Sequence, residues 1–176
     1  MISEFRKSIE NGTAPVFCDK AREMESSKSA NDFVSEVDRG AEDAIIDVIR
    51  KTYPDHAVMA EESGQSGQSE YEWIIDPLDG TSNYAHGFPW FCVSIGVYQD
   101  NEPLAGVIYH PILKEMFFAE RGKGAFLNGS RIRVSKESKL EDSLMGTGFY
   151  YSKAEELKAE MRIFARMNED CRAVRR

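Results

Sequence analysis

The sequence predicts an α+β fold, a layered sandwich in which helices cover a largely antiparallel sheet. Three observations carry that expectation. One long amphipathic helix pattern comes early, a run of short strand patterns joined by tight turns follows, and a second amphipathic helix comes late. With 176 residues, 41% of them apolar and 30% charged, the chain reads as a single soluble domain spanning 1–176. It shows neither an apolar run of membrane-spanning length nor a secretory leader pattern. The scattered Cys18, Cys92 and Cys171 lack metal-ligand spacing and read as small buried residues in a reducing compartment, the cytoplasm. A net charge of −8 argues against nucleic acid as the main partner, and no membrane partner is expected.

The elements follow in order. The first 22 residues read as an interrupted helix, with Gly12 and Pro15 inside the pattern. Ser27–Asp32 is a polar break. In the next helix Val37, Ala41, Ala44, Ile45, Val48 and Ile49 recur at helical spacing, Ser35–Asp38 resembles an N-terminal capping pattern, and Pro54 ends the run. His56–Ala60 is a short strand, Ser63–Ser69 a flexible loop, and Glu72–Asp76 an apolar β-branched strand. Trp90–Tyr98 alternates as a strand does, with Trp90 and Phe91 assigned to the core. Leu104–His110 and Glu115–Glu120 are further strands, and Asn128-Gly129 sets a hairpin within Gly124–Val134. Short connections predict an antiparallel meander. Leu157, Met161, Phe164 and Ala165 give the last helix one apolar face, and Arg172, Arg175 and Arg176 read as a solvated tail.

The chemistry concentrates in two acidic clusters at strand ends. Glu61-Glu62 follows one strand, and Asp76 and Asp79 follow the next. If those strands are neighbours, three or four carboxylates meet. Carboxylates that close resist ionising unless a cation lies between them, and oxygen donors suit hard cations such as Mg2+. Pro77 and Leu78 turn the chain so that the Leu78 carbonyl and Asp79 can face one pocket. Gly80, Thr81, Ser82 and Asn83 then suit the start of a helix, where backbone N–H groups bind anions. A metal site beside an anion nest is the arrangement for metal-assisted transfer of a phosphoryl group to water. The three histidines, His56, His86 and His110, read as structural, with His86 at most lining the site.

"AEES" (Ala60–Ser63) followed by "WIIDPLDGTSNYAHGFPWFCVSIGV" (Trp73–Val97) resembles the inositol monophosphatase family, whose signature is Asp-Pro-x-Asp-Gly-Thr-x-Asn. Asn31–Ile45 and Arg121–Ser135 extend the likeness, which covers the chain from about Lys28 onward. The resemblance implies a Mg2+-dependent phosphomonoesterase, with two or three ions in the complete site, that hydrolyses inositol monophosphate as a cytoplasmic homodimer. It implies that Glu61, Asp76, the Leu78 carbonyl and Asp79 bind metal. Glu61 and Thr81 would prepare the attacking water, and Gly80, Thr81 and Ser82 would contact phosphate. Lys28 and Asp38 correspond to residues near a further, weaker metal position.

Family members continue well beyond this length, with a Trp-Asp motif that is missing here, since neither Trp73 nor Trp90 precedes an aspartate. The expectation is therefore a partial family member with apolar faces left exposed. Relatives acting on histidinol phosphate, sugar bisphosphate or phosphoadenosine phosphate share the signature, so these substrates stay open. A non-catalytic remnant that binds metal or a partner is the alternative of a different class.

Overall fold

The computed structural model describes residues 30–149 and 155–175. The interrupted N-terminal helix, Cys18 and Lys28 lie outside them. The chain forms two compact units, Met1–Ile132 and Arg133–Arg176.

In the first unit, helix α1 (Ala30–Thr52) precedes an eight-stranded sheet. Its strands are β1 (Ala57–Ala60), β2 (Gly64–Ser66), β3 (Tyr71–Asp79), β4 (Cys92–Gln99), β5 (Glu102–His110), β6 (Glu115–Glu120), β7 (Gly124–Leu127) and β8 (Ser130–Ile132). Their spatial order is β2-β1-β3-β4-β5-β6-β7-β8. A short helix, α2 (Thr81–Ala85), joins β3 to β4. The α+β expectation holds. Among the described residues no helix is long and apolar enough to cross a membrane.

Several local expectations are corrected. Helix α1 begins at Ala30, so Ser35–Asp38 lies inside it rather than capping it. The sheet is mixed, because β1 pairs parallel to β3. The loop Ser63–Ser69 contains β2, which folds back antiparallel on β1 and leaves β1's other edge to β3. Trp90 is 60% exposed and precedes β4, whereas Phe91 is buried. The hairpin at Asn128-Gly129 is as expected, with both residues at positive φ, 48° and 82°.

Register explains the core. Ala60, Ile75, Ile95, Val107 and Phe118 form one row across five strands, and Val58, Trp73 and Val97 form the next. Val37, Ala41, Ile45 and Ile49 of α1 belong to the same buried cluster. Burying each of the larger side chains contributes about 1.5–3 kcal/mol. The sheet's other face keeps Met59, Ile74, Ile108 and Phe117 partly exposed, in line with the expected open apolar surface. Near the end of α1, Trp73 Nε1 donates to His56 Nδ1 at 3.0 Å, and His56 stacks between Tyr53 and Tyr71.

In the second unit, β9 (Leu144–Gly146) and β10 (Ala173–Arg175) pair in parallel and are joined through helix α3 (Glu155–Asp170). Phe149 meets Phe164 edge-on at 5.5 Å, and Cys171 is buried. The late helix is present, with Phe164 of its apolar face packed on Phe149 while Leu157 and Met161 stay exposed.

Candidate metal and phosphate site

Parallel pairing of β1 and β3 builds the site. Ala60 stands opposite Ile75, and the Glu61 amide donates to the Ile75 carbonyl at 3.1 Å. The residues that follow in each strand, Glu61 and Asp76, are thereby brought side by side at the same end of the sheet. An antiparallel pair would have carried the two acids to opposite ends.

Beyond Asp76 the ladder is irregular. Asp76 pairs with Ser94 and Asp79 with Cys92, so β3 holds one residue more than β4 over that interval. This bulge lets Pro77, which has no N–H, sit inside a strand. Leu78 buries its side chain, with 1% exposed, which anchors the bulge in the core. Its amide donates to Asp76 Oδ1 at 3.1 Å, and its carbonyl accepts from Thr81 Oγ1 at 2.9 Å. Asp76, Leu78 and Thr81 are therefore linked through the backbone of one residue, Leu78.

Gly80 makes the turn into α2. Its φ of 97° favours glycine, and a Cβ there would meet the Trp90 carbonyl oxygen at 3.0 Å and Phe91 Cβ at 3.1 Å. Asn83 Nδ2 donates to that same Trp90 carbonyl at 2.7 Å and closes the 80–91 loop. His86 Nδ1 lies 2.7 Å from the Ser82 carbonyl, which gives this histidine a local structural contact.

The electrostatics are those of crowded carboxylates. Asp76 is raised to about 7, first by burial, then by the Glu61 charge and a shared hydrogen bond with Glu61, and then by Asp79. Asp38, buried on α1, is raised to about 6 by burial and then by Glu62, Glu61 and Glu42. The Cys92 thiol, 3.7 Å from Asp79 Oδ2, is pushed up to about 12 by burial and then by Asp79 and Asp76.

Among the described residues, no three His, Cys, Asp or Glu side chains are already gathered tightly enough to hold an ion. The donor chemistry nevertheless fits a hard divalent cation. The donors are oxygen atoms, their charges oppose one another, and Glu61 and Asp79 are exposed enough to rotate toward a common centre. Lys28 lies outside the described residues, while Glu61, Asp76, Leu78, Asp79, Gly80, Thr81 and Ser82 share one end of the sheet.

Two contributors escaped the sequence reading. Glu42 is a buried carboxylate that accepts from the Glu62 and Ser63 amides, each at 2.9 Å. Its signal was an acid four residues after Asp38, inside the apolar stripe of Val37, Ala41 and Ile45. Cys92 was read as a small buried residue, yet it is only half-buried and its thiol donates to Asp79 Oδ2 at 3.7 Å.

Comparison with known proteins places these features in a family. The inositol monophosphatase family model matches residues 8–176. An inositol-1-monophosphatase from Synechocystis is 42% identical over 159 residues, 89% of this chain and 55% of that protein. The Nus factor SuhB of Pseudomonas aeruginosa is 50% identical over 126 residues, 69% of this chain and 46% of that protein. The chain thus spans about half the length of these curated relatives. Among solved structures, the extragenic suppressor protein suhB from Bartonella henselae superposes with a TM-score of 0.83. It is 34% identical, over 98% of this chain and 69% of that one. An inositol monophosphatase from Anabaena gives 0.75 at 35% identity, over 94% of this chain and 65% of that one. On the family match and the shared fold, this chain belongs to the inositol monophosphatase family.

Proposed function

We propose that this chain carries the metal-binding part of a Mg2+-dependent phosphomonoesterase that hydrolyses inositol monophosphate to inositol and phosphate. The observation that carries the reading is the convergence of Glu61, Asp76 and Asp79 at the ends of parallel β1 and β3, next to the Gly80–Ser82 turn. Membership of a phosphatase family agrees with it.

Glu61, Asp76, the Leu78 carbonyl and Asp79 are the groups that would hold Mg2+. When bound, the ions neutralise phosphate charge and make a water acidic enough to attack near neutral pH. The chain's own residues supply position. The Thr81 hydroxyl spends its proton on the Leu78 carbonyl, so its oxygen is left as an acceptor that orients a water. Glu61 takes the proton as the water oxygen bonds to phosphorus. The ester P–O bond breaks, the leaving oxygen takes a proton from a solvent water to give the free alcohol, and Glu61 returns its proton to the hydroxide so formed. The Gly80–Ser82 backbone contacts the phosphate oxygens during this exchange.

The test is phosphate release from myo-inositol phosphate by the 176-residue chain, with and without Mg2+, beside Asp79→Asn. Release that needs both Mg2+ and Asp79 supports the reading. Release unchanged by Asp79→Asn removes the assignment. Histidinol phosphate, a sugar bisphosphate and phosphoadenosine phosphate belong in the same assay, because relatives acting on them share the same signature.

A second reading has its own support. Several curated relatives, including the one from Pseudomonas aeruginosa, are named Nus factor SuhB. A Nus-factor role for this chain would make a partner surface, rather than turnover, its function. Normal partner function in an Asp79→Asn variant that has lost all turnover would favour it.

A further inference from the structure

We propose that Glu42 is the positioning residue of the acidic cluster, clamping the turn after β1 so that Glu61 is held against Asp76 for cation binding. The inference rests on the metal-binding reading above and deepens it.

Three consecutive amides in this turn are anchored from two sides. Glu61 N–H is bound to the Ile75 carbonyl of β3. Glu62 N–H and Ser63 N–H are bound, at 2.9 Å each, to Oε2 and Oε1 of the same Glu42 carboxylate. Glu42 reaches them from α1, where it is 2% exposed and stands between Ala41 and Ile45, both buried. The turn therefore cannot shift away from Asp76 without breaking a charge-assisted pair of hydrogen bonds.

The chemical type of the side chain carries the argument further. Here the two N–H donors bond to separate oxygens of one carboxylate, and a glutamine would turn an amino group toward one of them unless both crowded onto its single carbonyl. Closing a turn does not by itself call for a buried negative charge. Here that charge adds to a field already set by Asp38, Glu61, Glu62 and Asp76. Its repulsion with Asp38 is relieved once a divalent cation is bound nearby. Glu42 thus serves twice, by fixing the backbone and by deepening the negative potential, without touching the ion. Outer-shell partners of this kind typically change metal affinity about 10–100-fold when altered.

The experiment compares Mg2+ binding by calorimetry for the unaltered chain, Glu42→Gln and Ile45→Val, with amide hydrogen exchange at Glu62 and Ser63. Ile45 is buried on the same helix and its apolar side chain cannot hydrogen-bond the turn, so it controls for a general loss of stability. The expected result for Glu42→Gln is binding about 10-fold weaker or worse, with faster exchange at Glu62 or Ser63. Ile45→Val should bind as the unaltered chain does. Faster exchange in Glu42→Gln with Mg2+ binding within about twofold of normal would overturn the proposal. If Glu42→Gln does not fold, the unaltered chain still decides: Mg2+ must slow exchange at Glu62 and Ser63, and no slowing overturns the clamp. An unaltered, folded chain that binds no Mg2+ overturns the metal-binding reading itself, and the clamp with it.

Discussion

Glu61 and Asp76 stand side by side at the ends of two parallel strands, each the residue that follows a paired position, Ala60 opposite Ile75. Two carboxyl groups held together in this way store electrostatic repulsion that a cation or a proton relieves. Asp76→Asn keeps an oxygen able to accept from the Leu78 amide while removing one of the opposed charges. Divalent-cation binding by calorimetry should fall more than about 10-fold, and the thermal midpoint without metal should rise rather than fall. A lower metal-free midpoint would show that the Asp76 charge is satisfied inside the fold, against the site described here.

Gly80 is fixed by two independent constraints. Its backbone is left-handed at φ 97°, and the space beside it is filled by the Trp90 carbonyl and by Phe91. An alanine there meets a conformational penalty and a backbone contact that cannot easily give. Gly80→Ala should lose about 2–4 kcal/mol of stability in urea unfolding. The loss should be accompanied by disorder at the Asn83–Trp90 hydrogen bond, visible in the indole fluorescence.

The sequence made some of this geometry legible, and the reasons differ by residue. The Asp76–Asp79 spacing, Gly80 and the hydroxyls of Thr81 and Ser82 announce a strand tip followed by a helix start, because each residue type is restrictive there. Parallel pairing of β1 with β3 is not announced. Strands separated by only ten residues ordinarily pair as a hairpin, and here the short β2 takes that place. Trp90 follows the alternation of β4 but precedes its first ladder residue, so its ring escapes burial. Glu42 was hidden because an acid within an apolar helix face reads as an interruption until its two amide partners, twenty residues away in sequence, are in view.

Asn128 links two turns. Its backbone N–H donates to the Met116 carbonyl, its Oδ1 accepts from the Met116 amide at 2.8 Å, and its Nδ2 donates to the Lys114 carbonyl at 3.1 Å. It also adopts φ 48°, a region that asparagine tolerates better than most residues. Asn128→Ala removes both side-chain bonds and strains the hairpin, so a loss of about 1–3 kcal/mol is expected from denaturant unfolding. Asn128→Asp keeps the acceptor for the Met116 amide but loses the N–H that donates to the Lys114 carbonyl, and should fall between the two. Equal stability of all three proteins would contradict this account of the turn.

His56 gives the fold a defined response to acid. Burial lowers its pKa from the ordinary 6.5, against the opposing pull of Asp55 and Glu70. Its Nδ1 accepts the Trp73 indole proton at 3.0 Å, so a proton on that nitrogen would displace the bond. At this one site the folded state therefore binds fewer protons than the unfolded chain. His56 contributes its full stabilisation above the unfolded value of 6.5, and the contribution is lost as pH falls through the lower folded value. Urea unfolding followed by tryptophan fluorescence should show this as a destabilising slope between pH 7 and pH 5, superimposed on the opposite slope of Asp38 and Asp76, whose raised values titrate in the same window. His56→Phe, which retains an aromatic ring between Tyr53 and Tyr71 but removes the acceptor, should be less stable at pH 7 and lose part of that slope. An unchanged slope would place the acid response elsewhere among the titrating groups and not at the His56–Trp73 pair.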